Sequence, residues 1–558
     1  MANTLITKNS STAAAIPTAG QLVQGELAVN VTDKRVFTEN AAGAVVELGT
    51  NPSSIATGVI TATADASVQG LTVGRGAGAV ASNTAVGASA LAANTSGASN
   101  TAVGYQAGYS NNTAIDITAV GSQAGYSTVA GGNYLTAVGV HAAYSNTTGE
   151  ANSAFGRYSL DQNTTGGTLS AFGANSLRAN TTGSYNTAMG ADALRFNTTA
   201  SNNTAVGYQA GYANTTGSSL TAIGTNALFA NTTGIQNTAV GLNALIANTS
   251  GPNNTAIGVA ALSSNTTGQA NIASGLGASQ FNTTGSYNTA YGPEALNKNT
   301  TASNNTAVGY QAGYDNTTGD SITAVGMYAL TNNTTANYNN AFGRNALYYN
   351  TTGTELSAVG YQTLQENTTG SYNTAIGNHA LQSNNTASNN TAVGYQAGYT
   401  NSTGANNVAY GYQALYSNTT ANYNAAFGFS ALYTNSTGTQ NSASGNWALY
   451  LNTTGSANTA HGYEALRGNT TASNNTAVGY QAGYSNTTGT GTIAFGYQAG
   501  YTNNANNGTF VGTVSGNSST GVNNTFVGYG SGYTMTSGAK NTIIGGYNGN
   551  QGGLDIRT

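Results

Sequence analysis

The chain has 558 residues, of which 5% are charged, and a formal net charge of −4. That balance leaves no basic patch for nucleic acid, the lack of cysteine removes disulfides and thiolate metal sites, and no apolar run reaches the roughly 18 residues that span a bilayer. With 76 glycines and 4 prolines, and with polarity carried by Asn, Thr, Ser, Gln and Tyr, the composition suits short strands, many tight turns and stacked side-chain ladders.

Residues 1–50 carry no repeat. Two alternating segments, ELAVNV from Glu26 and RVFTE from Arg35, flank the turn Thr32-Asp33-Lys34, and a third, AVVEL, follows Ala41-Ala42-Gly43. This pattern predicts a small β-meander of a size suited to docking. The amino terminus has no basic segment followed by an apolar one, so no secretory leader is expected and the protein should reach the exterior by lysis or inside a particle. Residues 51–82 are assigned to a linker or degenerate first coil.

From residue 83 a T-A-V-G element returns every 17 residues, with its glycine at Gly87, Gly104, Gly121 and so on to Gly545, which makes 28 units. The step departs from 17 only between Gly121 and Gly139, where it is 18, and between Gly496, Gly512 and Gly528, where it is 16. A strict period of this size marks a solenoid in which each coil contacts only its neighbours. With the glycine as position 0, position −2 is Ala in every coil through Ala494, position −1 is mostly large and apolar, and position +3 is small. Each coil reads as two short strands joined by the glycine, returning through an N-T-T-G corner whose Asn and Gly tolerate positive φ. A roll with two alanines per coil must be thin, and the apolar residues at position −1 would form a stripe larger than a soluble monomer normally exposes. That stripe is expected to meet copies of itself in a homotrimer.

The regular roll spans 83–505, and altered coils occupy 506–558. There Phe510, Phe526 and Ile543 replace the alanine, so the thin interior is expected to widen or hand over to another architecture, leading to a tip missing or cleaved after GGLDIRT.

The T-A-V-G unit resembles the head repeat of trimeric autotransporter adhesins, which implies a left-handed parallel β-roll packed as a homotrimer, although that family's unit is shorter. The segment from Thr7 to Gly49, with GELAVN at Gly25–Asn30 and VVELG at Val45–Gly49, resembles the virion-attachment module of phage tail fibres, and GGYNGNQGGLDIRT is similar to segments preceding their terminal domains. These resemblances imply an all-β structural fibre protein of a bacteriophage virion, docked through residues 1–50 and holding a host-recognition tip away from the particle. The rival readings are a bacterial cell-surface adhesin and an ice-binding surface solenoid.

No catalytic, cofactor or metal set is expected: His141, His379 and His461 lie on separate coils, and the carboxylates are scattered. Tyrosines recur at positions +1 and +5, and Tyr105, Tyr109, Tyr208, Tyr212, Tyr395, Tyr399, Tyr480 and Tyr484 are the candidate contacts to a host surface polysaccharide. The competing reading is that these rings stack on one another as ladders. The N-X-T and N-X-S triplets of the corners also match glycosylation acceptors.

Overall fold

The computed structural model describes residues 7–10, 16, 18, 27–30, 35–39, 45–49, 66–68 and 71–548. The chain divides between Arg75 and Gly76 into two units. In the first, β1 (Thr7–Ser10), β2 (Leu27–Asn30), β3 (Arg35–Glu39) and β4 (Val45–Gly49) form one sheet in that order. β2, β3 and β4 are the expected meander, antiparallel throughout, with Ala28 opposite Phe37 and both side chains buried. β1 pairs parallel to β2 and was not foreseen. The expected turns at 32–34 and 41–43, most of the linker and the tail beyond 548 lie outside the described residues. Within the linker, β5 (Ala66–Val68) and β6 (Leu71–Gly74) form an antiparallel hairpin.

The second unit is a parallel β-solenoid. Three-residue strands run from β7 (Thr84–Val86) to β34 (Thr542–Ile544), one per coil, each hydrogen-bonded in register to the next. Register places like on like: Ala205 pairs with Ala222, and Thr204 with Thr221. The alternation of a strand sends position −2 inward, and Ala205 and Ala222 are accordingly buried together with Ala210 and Ala227 at position +3. The thin interior is therefore an alanine ladder supplemented by Leu at position +4, as at Leu194 and Leu228.

The second strand expected in each coil does not form. After the glycine the chain makes a chain of turns in which positions +2 and +4 are left-handed, with φ of 58° at Asp192 and 49° at Leu194. Each left-handed residue reverses its peptide, so the amides point alternately up and down the stack. Asp192 donates to Ala174 of the preceding coil and Leu194 to Ala210 of the next, both at 2.9 Å. Backbone hydrogen bonding is thus satisfied along the axis without an extended segment. An Ala-Leu pair looks like strand in sequence because its burial pattern is the same in both conformations.

The glycine at position 0 is required twice over. Gly207 has φ of 135°, and a Cβ there would lie 2.6 Å from the carbonyl oxygen of Gly224 in the next coil.

The interior does not widen at the far end. β32 (Thr509–Val511) continues the ladder in register, with Phe510 stacked on the Ala494 position and fully buried. Room comes from missing side chains: Cβ atoms on Gly500 and Gly508 would fall 2.7 and 2.5 Å from the Phe510 ring, and Gly516 lies against its other side. Phe526 packs in the same way against Gly532. The expected change of architecture is thus replaced by a local exchange of volume.

Candidate functional sites: an apolar stripe, aromatic columns and an asparagine-threonine corner

On the strand side of the roll, position −1 faces outward beside position +1. Apart from Ser274, Ser444 and His461, position −1 holds Val, Ile, Met, Phe or Tyr in every coil from Val86 to Ile544. Phe172, Met189, Ile223, Ile257, Tyr291 and Phe427 are exposed, as are Leu242, Val259, Leu276 and Phe429 at position +1. The result is an apolar stripe along the unit, interrupted at the coil where Ser444 and Asn446 take both positions.

Positions +1 and +5 are aromatic columns, and most rings cover one another. Tyr109 stacks on Tyr126 with centroids 5.0 Å apart, Tyr212 on Phe229 at 4.9 Å, Tyr399 on Tyr416 at 5.1 Å and Tyr484 on Tyr501 at 4.9 Å. Tyr395 stacks on Tyr412, which continues to Phe429, and Tyr480 stands between Tyr463 and Tyr497. Of the candidate contacts, only Tyr105 and Tyr208 have exposed rings with no aromatic neighbour, because Ala88, Ser122, Ala191 and Thr225 occupy the adjoining coils. Burial, followed by the neighbouring Tyr433 and Tyr399 hydroxyls, raises Tyr416 above the usual phenol range, and burial does the same at Tyr126 and Tyr501.

The three histidines remain apart. His141 stacks on Tyr144 and lies 3.8 Å from Asp161, whose second oxygen is 3.5 Å from Arg178. Burial raises the Asp161 carboxyl despite the opposing pull of Arg178 and His141. His379 bonds Gln382 at 2.7 Å, and His461 is 3.4 Å from Ser442. Among the described residues no three His, Cys, Asp or Glu side chains form a metal-binding group.

The corner is organised by its asparagine at position +7. Each Nδ2 donates to the Oδ1 of the asparagine one coil earlier, without a break from Asn146 to Asn469, and also to the carbonyl three residues on, as Asn180 does to Asn163 at 2.8 Å and Gly183 at 2.9 Å. Thr128, in the 18-residue coil, interrupts the row, and its buried hydroxyl has no partner. A second asparagine row at position −4 works similarly: Asn203 Oδ1 accepts the amide of Leu220 at 2.9 Å. From Asn163 to Asn469 both Nδ2 hydrogens of the +7 asparagines are engaged and the side chains are buried, so those triplets cannot carry a glycan in the folded roll.

The next two residues divide their work. The +8 hydroxyl bonds the carbonyl of the next coil, as from Thr181 to Thr198 at 3.1 Å. The +9 residue points to solvent. At position +12 the backbone is again left-handed, and Tyr185, Tyr287, Tyr338, Tyr372 and Tyr423 are held there with their rings outward, as is Tyr134 at the equivalent position +13 of the 18-residue coil. Sequence periodicity did not single out this tyrosine set, since it occupies a minority of coils.

Compared with known proteins, the chain matches no family model and no curated protein sequence.

Proposed function

We propose that this protein is a structural shaft: the fibre of a bacteriophage appendage, such as a tail fibre, in which a left-handed roll associates as a parallel homotrimer and supplies reach. The observation that carries this reading is the stripe. Apolar side chains that recur in register along the solenoid, fully or partly exposed in nearly every coil, are a liability in a monomer, whereas a rotational axis parallel to the roll would bury the same row of every copy. The similarity of the T-A-V-G unit to trimeric adhesin heads supports the same arrangement. In this reading residues 1–50, with Lys8, Glu26, Asp33, Lys34, Arg35, Glu39 and Glu47, dock onto the virion, because near-identical coils offer little irregular charge for specific recognition. The protein would leave the host in the particle at lysis, and it performs no chemistry of its own.

Mass spectrometry of purified virions, coupled with deletion of residues 1–50, tests this role. The full chain should be found in particles and the truncated chain should not. A truncated chain present at normal copy number would overturn the docking assignment. A bacterial cell-surface adhesin built on the same trimeric roll is the second reading, favoured by the same stripe and distinguished by surface labelling of intact cells.

A further inference from the structure

We infer that the corner face of the roll is a carbohydrate-binding surface for an extended, uncharged polysaccharide, with the position +12 tyrosines as stacking platforms and the position +9 threonines as hydrogen-bonding groups.

The tyrosines are the first observation. Tyr134, Tyr185, Tyr287, Tyr338, Tyr372 and Tyr423 are 54–64% exposed. Among the described residues none of them packs against another ring, in contrast to the columns at positions +1 and +5. An exposed ring with a free face suits the apolar face of a sugar, and of the six hydroxyls only that of Tyr287 has a partner among the described residues, Gln269 Nε2 at 2.9 Å. Successive members stand three, six, three, two and three coils apart, three coils being roughly 14 Å at normal strand spacing. A platform at such intervals meets a repeating polymer rather than a single small ligand.

The threonines are an independent observation. From Thr148 to Thr471 every coil has Thr at position +9 except for Ser250, and each is exposed. None of these hydroxyls makes a hydrogen bond within the chain among the described residues. Position +8, whose hydroxyl does hold the next coil, nevertheless varies to Ser402, Ser436 and Asn385. A side chain that is more uniform than its structurally employed neighbour, yet solvent-facing and unpartnered, is explained by something outside the chain. Each hydroxyl can both donate and accept.

Charge narrows the ligand: the corner positions +8 to +12 carry the acids Asp116, Glu150, Asp320 and Glu355 against one base, Lys540, in the last coil, which disfavours an anionic polymer. The flat array needed to match ice is broken by the protruding tyrosines.

The test uses the full-length protein on a printed panel of bacterial capsular and O-antigen polysaccharides with chitin and cellulose. An uncharged polymer should bind at least about 100-fold more tightly than its own monosaccharide, because weak sites repeat along the roll. A variant carrying Tyr185→Ala, Tyr287→Ala, Tyr338→Ala, Tyr372→Ala and Tyr423→Ala should lose at least tenfold of that binding with an unchanged melting curve. The control Tyr105→Ala with Tyr208→Ala should bind as the parent does. Failure of every polymer to bind, equal binding by the five-tyrosine variant, or thermal hysteresis in place of polymer binding would each overturn the proposal. None of these outcomes depends on virion association, so loss of the appendage reading would leave this one standing.

Discussion

Leu194 and Gly211 occupy the same interior position in consecutive coils, and the leucine fills the space that the glycine leaves: a Cβ on Gly211 would lie 2.9 Å from Leu194 Cδ2. The same pairing recurs between Leu296 and Gly313, Leu381 and Gly398, and Leu466 and Gly483. Interior volume is thus balanced between coils rather than within each one. Leu194→Ala should cost about 2–5 kcal/mol, and Gly211→Ala about 1–3 kcal/mol through overpacking and its left-handed backbone. The double variant should recover part of the sum, because the new methyl enters the vacated space. Additive losses in chemical denaturation would refute the pairing.

The asparagine row makes a separate prediction. Asn248→Ala removes the partner of both Asn231 Oδ1 and one Nδ2 hydrogen of Asn265. Two buried amide groups are left short, each at about 1–3 kcal/mol. Asn248→Asp should be at least as harmful at neutral pH, since a carboxylate would face the Asn231 oxygen with no proton between them. Hydrogen exchange should show the loss concentrated in the adjoining coils, because solenoid coupling is between nearest neighbours.

Self-association rests on the stripe. Light scattering should report about three times the 55.7 kDa chain mass. Met189→Glu with Ile223→Glu, which alter exposed positions without touching the interior, should shift the population towards monomer. A monomeric parent protein at micromolar concentration would remove the trimer from the proposed function.

Alkaline pH should loosen the aromatic columns. Tyr126, Tyr416 and Tyr501 have raised pKa values in the folded chain, chiefly from burial and then from neighbouring tyrosines. Above the ordinary value of 10.0 the unfolded chain releases these protons first, so νU falls below νN and stability declines with pH. The contribution is complete below that value and is lost as pH rises through the folded pKa values. Tyrosinate absorbance should show a late-titrating class that disappears on unfolding, and Tyr416→Phe should lessen the alkaline loss.

Period and composition alone determined that the chain is a parallel solenoid. An interval of 17 residues repeated 28 times leaves few other ways to bury a small residue at positions −2 and +3, and the meander strands at 27–49 followed from their alternation. Tertiary structure decided what each repeated residue does. Leu194 in a strand and Leu194 in a left-handed turn have the same burial pattern, so only backbone geometry separates them. Phe510 looked too large because its room is made by Gly500, Gly508 and Gly516 in its own and adjoining coils. The +1 and +5 tyrosines stood out by frequency, but a ring's availability depends on its neighbours 17 residues away, and stacking closes most of those faces. The isolated +12 tyrosines stay open for the converse reason: the residues one coil above and below them are small or polar, a relation between coils that becomes visible only once the register is known.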